Sequence, residues 1–252
     1  MHDAPALVTF HLWGVARRHV PWALTRMVRH RAPLRRVPGL RFARLLGTGH
    51  GHSFTPRDAD PRHWALLAAW DTAEQAAAFE RDGGDEIVRQ WDAHADERWR
   101  VSLQPVSSVG LWSGAAPFGP RGIRAPRESA APCAVLTRAR LSPRKAAAFW
   151  RATPPVAAAV AVAPGLRFAR GIGEAPVGLQ ATFSVWDDPR SASAFAYENA
   201  AHRAVVDRTG PEGWYAEQLF ARFAVIDASG EVDGRDPMAS SRVGSSRRGQ
   251  LG

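Results

Sequence analysis

The sequence predicts an α+β fold made of two tandem βαββαβ units related by internal duplication, and three observations carry that prediction. The heptapeptide Pro38-Gly39-Leu40-Arg41-Phe42-Ala43-Arg44 recurs 126 residues later as Pro164-Gly165-Leu166-Arg167-Phe168-Ala169-Arg170. Ala69-Trp70-Asp71 is echoed 116 residues on by Val185-Trp186-Asp187, so the first copy carries a loop ten residues longer. The hydrophobic period also changes in the same order within each copy, from two to 3.6 and back.

In the first copy, Val8, Phe10 and Leu12 alternate with Thr9, His11 and Trp13, the pattern of a half-buried strand. Residues 17 to 31 predict a helix that places Val20, Leu24, Met27 and Val28 on one face, with Pro21 near its start. The Pro-Gly turn leads into a strand at 40 to 46, and a third strand is read at 64 to 70. Thr72 followed by Gln75 is a capping box for the next helix, whose apolar face continues through Ile87, Val88 and Trp91. Residues 99 to 106 complete a ferredoxin-like unit. The second copy repeats the grammar, with a strand at 135 to 141, Ser142-Pro143 opening a helix, Asp188-Pro189 opening another, and a last strand at 218 to 226. The expected organisation is therefore a first unit at 6–106, a linker at 107–131 rich in Ser, Gly, Pro and Arg, and a second unit at 132–228. The tail, 229–252, lacks periodicity and is expected to be disordered.

Composition narrows the classes. A hydrophobic content of 45% with ten Trp and eleven Phe supplies cores for two small units. Cys133 is the single cysteine, which excludes an intrachain disulfide framework and fits a reducing compartment. No charged-then-apolar leader and no long apolar run is evident, so a cytoplasmic protein is expected, neither secreted nor integral to a membrane. The formal net charge is +9, and between Pro5 and Arg57 there is no Asp or Glu while arginines recur from Arg17 to Arg57. Such a field attracts an anionic partner: nucleic acid, an anionic membrane surface, or an acidic electron-transfer protein. The same stretch also reads as a solvated helix face.

Several blocks resemble the spheroidene monooxygenase family. In the first copy they are Pro38-Gly39-Leu40-Arg41-Phe42 running into Leu45-Leu46-Gly47-Thr48-Gly49, then Phe54-Thr55-Pro56 and Trp64-Ala65-Leu66-Leu67. Leu111-Trp112-Ser113-Gly114 and Pro117-Phe118 follow in the linker. The second copy adds Gly171-Ile172-Gly173-Glu174-Ala175-Pro176, Gln180-Ala181-Thr182-Phe183-Ser184-Val185-Trp186, Phe195-Ala196-Tyr197, His202-Arg203, Trp214-Tyr215 and Leu219-Phe220-Ala221-Arg222-Phe223. The resemblance covers residues 7 to 226. It implies two ferredoxin-like units of the dimeric α/β-barrel type and an O₂-dependent oxygenase that oxidises acyclic carotenoids to keto products. Haem iron is the implied cofactor and reduced ferredoxin the implied donor. Its substrate would be an apolar small molecule, with peripheral membrane contact as a further expectation.

The residues themselves suggest where an iron would sit. An axial haem histidine needs a rigid support facing an apolar cleft. His202 meets that description, because Val205 and Val206 at i+3 and i+4 put it on a core-facing side, with Glu198 as a nearby acceptor for its other nitrogen. By analogy, duplicated ferredoxin-like haem proteins place a proximal histidine on a helix of the second unit. The competing reading is a histidine hydrogen-bonded within the core. A second constellation, His50-Gly51-His52 with Asp58, Asp60 and His63, has the residue types of a non-haem Fe(II) facial triad, but a glycine-punctuated loop is a poor support. Its extra length reads better as a lid over a cavity. Cys133 opens a strand and reads as a buried structural thiol, not a thiolate ligand. Gly47-Thr48-Gly49 lacks dinucleotide-binding spacing. Two rivals stand beside the haem reading. One is a cofactor-free oxygenase like the antibiotic biosynthesis monooxygenases. The other is a non-enzymatic protein whose arginines bind an anionic partner, with nucleic acid disfavoured because the aromatic platform of RNA-recognition sheets is missing.

Overall fold

The structure is a computed structural model that describes residues 4–50, 58–81, 86–119, 130–145, 151, 154–174, 179–199, 203 and 213–239. Each copy supplies four antiparallel strands. In the first they are β1 (Leu7–Val15), β2 (Leu40–Gly49), β3 (Ala59–Trp70) and β4 (Ala95–Gly110). In the second they are β5 (Cys133–Leu141), β6 (Leu166–Gly173), β7 (Leu179–Trp186) and β8 (Tyr215–Gly230). Helices α1 (Val20–Arg29), α2 (Arg31–Leu34), α3 (Ala73–Arg81) and α4 (Ile87–His94) belong to the first copy, and α5 (Pro154–Ala161) and α6 (Pro189–Glu198) to the second. None of the described helices is long and apolar enough to cross a membrane.

The sheets have the orders β4-β1-β3-β2 and β8-β5-β7-β6, and they join edge to edge into one closed eight-stranded barrel. One seam is short, pairing Gly47, Thr48 and Gly49 of β2 with Gly173, Ile172 and Gly171 of β6. The other is long and pairs β4 with β8 from Trp99↔Gly230 to Gly110↔Leu219. Closure removes the exposed edges that two separate sheets would present.

The duplication is visible in local detail. Gly39 and Gly165 both adopt left-handed φ, +74° and +76°. Each carbonyl accepts from the amide of the aspartate after the third strand, Asp71 N at 2.9 Å and Asp187 N at 2.7 Å. Thr72 Oγ1 accepts from Gln75 N at 3.2 Å, and the Asp188 side chain caps α6 by accepting from Ser191 N at 2.7 Å, as the capping signals predict.

Alternation places Val8, Phe10 and Leu12 inside the barrel beside Leu136, Phe183 and Phe223 of the second copy. Phe10 stacks on Phe183 with ring centroids 4.1 Å apart, and Trp99 lies 4.8 Å from Phe168. The interior is thus one core shared by both copies. A second apolar layer lies between the first sheet and its helices, where Trp13 stacks on Trp91 at 5.3 Å and packs with Leu66, Trp70 and Phe79.

Four sequence expectations are corrected. Helix α1 buries Ala23 and Met27, while Leu24 and Val28 are 55% and 67% exposed. The core-facing side is thus rotated from the predicted one, because a small alanine suffices where α1 crosses the sheet. Strand β4 runs to Gly110, beyond the predicted end at 106. The linker is structured as far as Gly119, with Trp112 and Phe118 buried in the barrel core. Residues 229–239, expected to be disordered, form the same structure: Val232 bridges Arg235 as Trp112 bridges Ala115, and Val232 and Met238 pack on the core. Residues 240–252 of the expected tail lie outside the described residues. Both extensions leave their strand through a glycine, Gly110 at φ +100° and Gly230 at φ +88°. A Cβ there would collide with the carbonyl oxygens of Gln218 and Arg98 respectively, so these turns require glycine.

Because the interior is common property, Phe183→Ala should cost about 3–5 kcal/mol and lower the stability of both copies together. Thermal unfolding followed by tryptophan fluorescence and by far-UV circular dichroism should give one coincident transition. Separate transitions for the two copies would contradict a shared core.

Candidate active site: the second sheet's outer face and the polar barrel mouths

The two sheets have matching registers but different outer faces. On the helix side of the first sheet His11 pairs with Leu66, and Trp13, Leu45 and Leu66 are buried. The matching positions of the second copy are Thr137 paired with Thr182, Ala139, and Gly171 paired with Thr182. Large side chains are therefore replaced by small ones where helices cover the sheet. Thr137 and Thr182 are half-buried, and Phe220 on β8 is 43% exposed. An open cleft of about 590 Å³ lies between α5 and α6, lined by Val162, Ala163, Pro164, Arg190, Ala194 and Phe195 among others, and by none of these sheet residues. Trp186 packs against Phe195 with tilted rings 5.5 Å apart, and forms a small apolar cluster with Cys133 and Ala192.

His202 lies outside the described residues. Helix α6 ends at Glu198, and Asn199 is extended (φ −70°, ψ 118°). Cys133 is buried, and burial pushes its thiol up to about 12, against a thiolate role.

The barrel interior turns polar at both ends. At one mouth, His63 on β3 is 6% exposed, and its Nδ1 lies 2.6 Å from Asp60 Oδ2. Its Nε2 faces Glu97 Oε2 at 3.4 Å and Asp233 Oδ1 at 3.8 Å. Arg170, from the second copy, donates to Asp60 at 3.3 Å and to Asp233 at 2.5 Å. Burial opposes ionisation of Asp60, but the His63 hydrogen bond and charge, the Arg62 amide and Arg170 outweigh it and hold the carboxyl at about 2. Burial likewise opposes protonation of His63, yet Asp60 and Glu97 raise its pKa above the ordinary value. Asp60 orients the ring so that Nε2 meets two carboxylates, an arrangement whose donor atoms lie within 4.8 Å and have the types that hold a divalent metal. Of the predicted loop constellation, Asp60 and His63 come together. His50, half-exposed, lies 3.9 Å from Asp60. Asp58 is buried, and His52 lies outside the described residues.

The opposite mouth is the counterpart without a histidine. Arg138, 2% exposed, pairs with Glu217 and lies 3.4 Å from Glu174, which also accepts from Trp112 Nε1 at 2.9 Å and from Arg44 at 2.6 Å. Glu217 accepts from Ser113 N at 2.8 Å, just as Glu97 accepts from Asp233 N at 2.8 Å. Ser113 and Asp233 both have left-handed φ, 54° and 53°. Each extension therefore seals the mouth built by the other copy. Glu97, Arg170 and Asp233 were missed in the sequence. Arg170 stood in the repeated heptapeptide, but a fixed motif carries no sign of its partner.

The Asp60–His63 pair has opposite pH signatures. Asp60 is held below its ordinary 3.8 at about 2, so its contribution, about 2 kcal/mol, is present above pH 3.8 and lost as pH falls through about 2. His63 is raised above 6.5, so its contribution is present below 6.5 and lost as pH rises through the folded value. Urea unfolding across pH should show stability falling on both sides, and His63→Gln should flatten the alkaline limb. An alkaline limb unchanged in that variant would contradict the assignment.

Comparison with known proteins adds the family. A spheroidene monooxygenase of Rhodobacter capsulatus is 38% identical over 221 residues, covering 88% of this chain and 90% of that protein. One from Cereibacter sphaeroides is 33% identical over 221 residues, covering 87% of this chain and 66% of that protein. Among solved structures, an aldoxime dehydratase in complex with butyraldoxime shares the fold, with a TM-score of 0.60 at 10% identity over 90% of this chain and 81% of that one. No family model matches the chain. With 38% identity across nine-tenths of a relative's length, the chain belongs to the spheroidene monooxygenase family.

Proposed function

We propose that this chain is an O₂-dependent monooxygenase that oxidises an acyclic carotenoid or a similarly apolar molecule, with haem iron as cofactor and reduced ferredoxin as electron donor. Family membership supports the reaction class and substrate. The observation that carries the cofactor's location is the thinned outer face of the second sheet, where Thr137, Ala139, Gly171 and Thr182 stand in for His11, Trp13, Leu45 and Leu66. A barrel interior filled with aromatics leaves no room for a planar macrocycle or a polyene, which favours a site on the outer face of the second sheet.

The residues present fit the group in size and charge. The small side chains leave this face without the bulk of its counterpart, and half-buried Arg222 on the same face, with exposed Arg190 at the cleft, would offer cations for the carboxylate arms of a haem. His202 would hold the iron. Haem iron supplies one-electron activation of O₂ when bound. The chain's own part is to exclude water around an apolar substrate and to orient it by shape, since a polyene offers almost no hydrogen-bonding groups.

Absorption spectra of the purified chain with added haem test this reading. The parent protein should develop a Soret band, and His202→Ala should lose it together with carotenoid oxidation. Thr182→Trp, which puts a large side chain back on the thinned face, should lower haem uptake at least tenfold without changing the circular dichroism. Carotenoid oxidation by rigorously haem-free protein would instead favour the cofactor-free reading, and haem uptake indifferent to both substitutions would refute the location.

A further inference from the structure

The outward face of α1 combines two features that rarely serve a merely solvated helix. Leu24 and Val28, one turn apart, are 55% and 67% exposed, about a quarter turn round the helix from buried Ala23 and Met27. Around them stand six exposed arginines. Arg17 and Arg18 lie in the 3-10 turn that precedes α1, Arg29 at its end, and Arg31, Arg35 and Arg36 in and just after α2. No acidic residue occurs between Pro5 and Arg57, so nothing nearby in sequence neutralises them. The arginines of this stretch that pair with carboxylates, Arg41 with Asp71 and Arg44 with Glu174, sit on β2 instead. His30 joins α1 to α2 through a turn (φ −80°, ψ −7°), so exposed Arg31 and Arg35 follow directly on the end of α1.

We propose that this face of α1, with its flanking arginines, docks the chain onto a lipid bilayer containing anionic headgroups. Guanidinium groups pair with lipid phosphates, and the two aliphatic side chains enter the boundary between headgroups and acyl chains. A nucleic acid would satisfy the arginines but offers no apolar phase to Leu24 and Val28, and an acidic protein would need an apolar patch matched to them, whereas any bilayer provides one. The inference stands on α1 alone and does not rest on the proposed reaction. A polyene dissolved in the same bilayer would, however, be delivered where the enzyme sits.

Flotation of the full chain with extruded vesicles tests the proposal. The chain should float with vesicles of phosphatidylcholine mixed with phosphatidylglycerol, should not float with phosphatidylcholine alone, and should dissociate as ionic strength rises. Replacing Arg29, Arg31 and Arg35 by Gln should weaken partitioning on the order of 100-fold. The Leu24→Ser/Val28→Ser variant keeps every arginine, so it should still be retained on heparin yet lose vesicle binding at least tenfold. All five positions are exposed, and unchanged thermal transitions would confirm that folding is intact. Absence of binding to mixed vesicles overturns the proposal. So does binding that survives the Leu24→Ser/Val28→Ser change, or equal binding to phosphatidylcholine alone. Retention of the parent chain by immobilised acidic ferredoxin without vesicle binding reassigns the face to a protein partner and overturns it as well.

Discussion

Everything else in this molecule follows from the closure of eight strands into one ring. A closed sheet satisfies its backbone hydrogen bonds internally, and with eight strands its lumen is just wide enough for side chains to fill. Here Phe10, Trp99, Phe168, Phe183 and Phe223 fill it from both copies at once. That packing forces the polar residues to the two ends of the barrel, where buried arginines and carboxylates must find one another because neither can be left unpaired.

The two helix layers divide the labour. On the first sheet, Trp13, Trp70, Trp91 and Phe79 make a dense layer whose polar atoms are satisfied locally, as when Trp13 Nε1 donates to Asp92 at 2.8 Å. On the second sheet the same strand register carries threonine, alanine and glycine. One copy thereby supplies rigidity and the other space, a division that a single repeated unit could not make. The related fold of the aldoxime dehydratase, at 10% identity, shows how little of such an architecture depends on particular side chains.

Much of this was legible in the sequence, and the failures have physical causes. The repeated Pro-Gly turn, the period-two strands and the caps at Thr72 and Asp188 are local signals, and each gave the right element. The face of α1 was misread because counting apolar residues cannot tell a covered leucine from an exposed one. The extensions after Gly110 and Gly230 were misread because Gly, Ser, Pro and Asp in short turns have no period, even though Trp112 and Val232 anchor them in the core. Asp60 and His63 stood out together because only three positions separate them. Glu97, Arg170 and Asp233 reach the same place from distant parts of the chain through the long β4–β8 seam and the short β2–β6 seam, and no sequence spacing announces that.

The exchange of extensions between the copies has an evolutionary reading. In a dimer of identical subunits, each segment would seal its partner's mouth, and symmetry would oblige the two ends to carry the same residues. Joining the copies in one chain removes that obligation. One end could then keep a histidine between carboxylates while the other became a cluster of arginine, glutamate and tryptophan without one. Likewise one helix layer could thin out while its twin stayed dense. Fusion thus gave a symmetric scaffold two independently mutable halves.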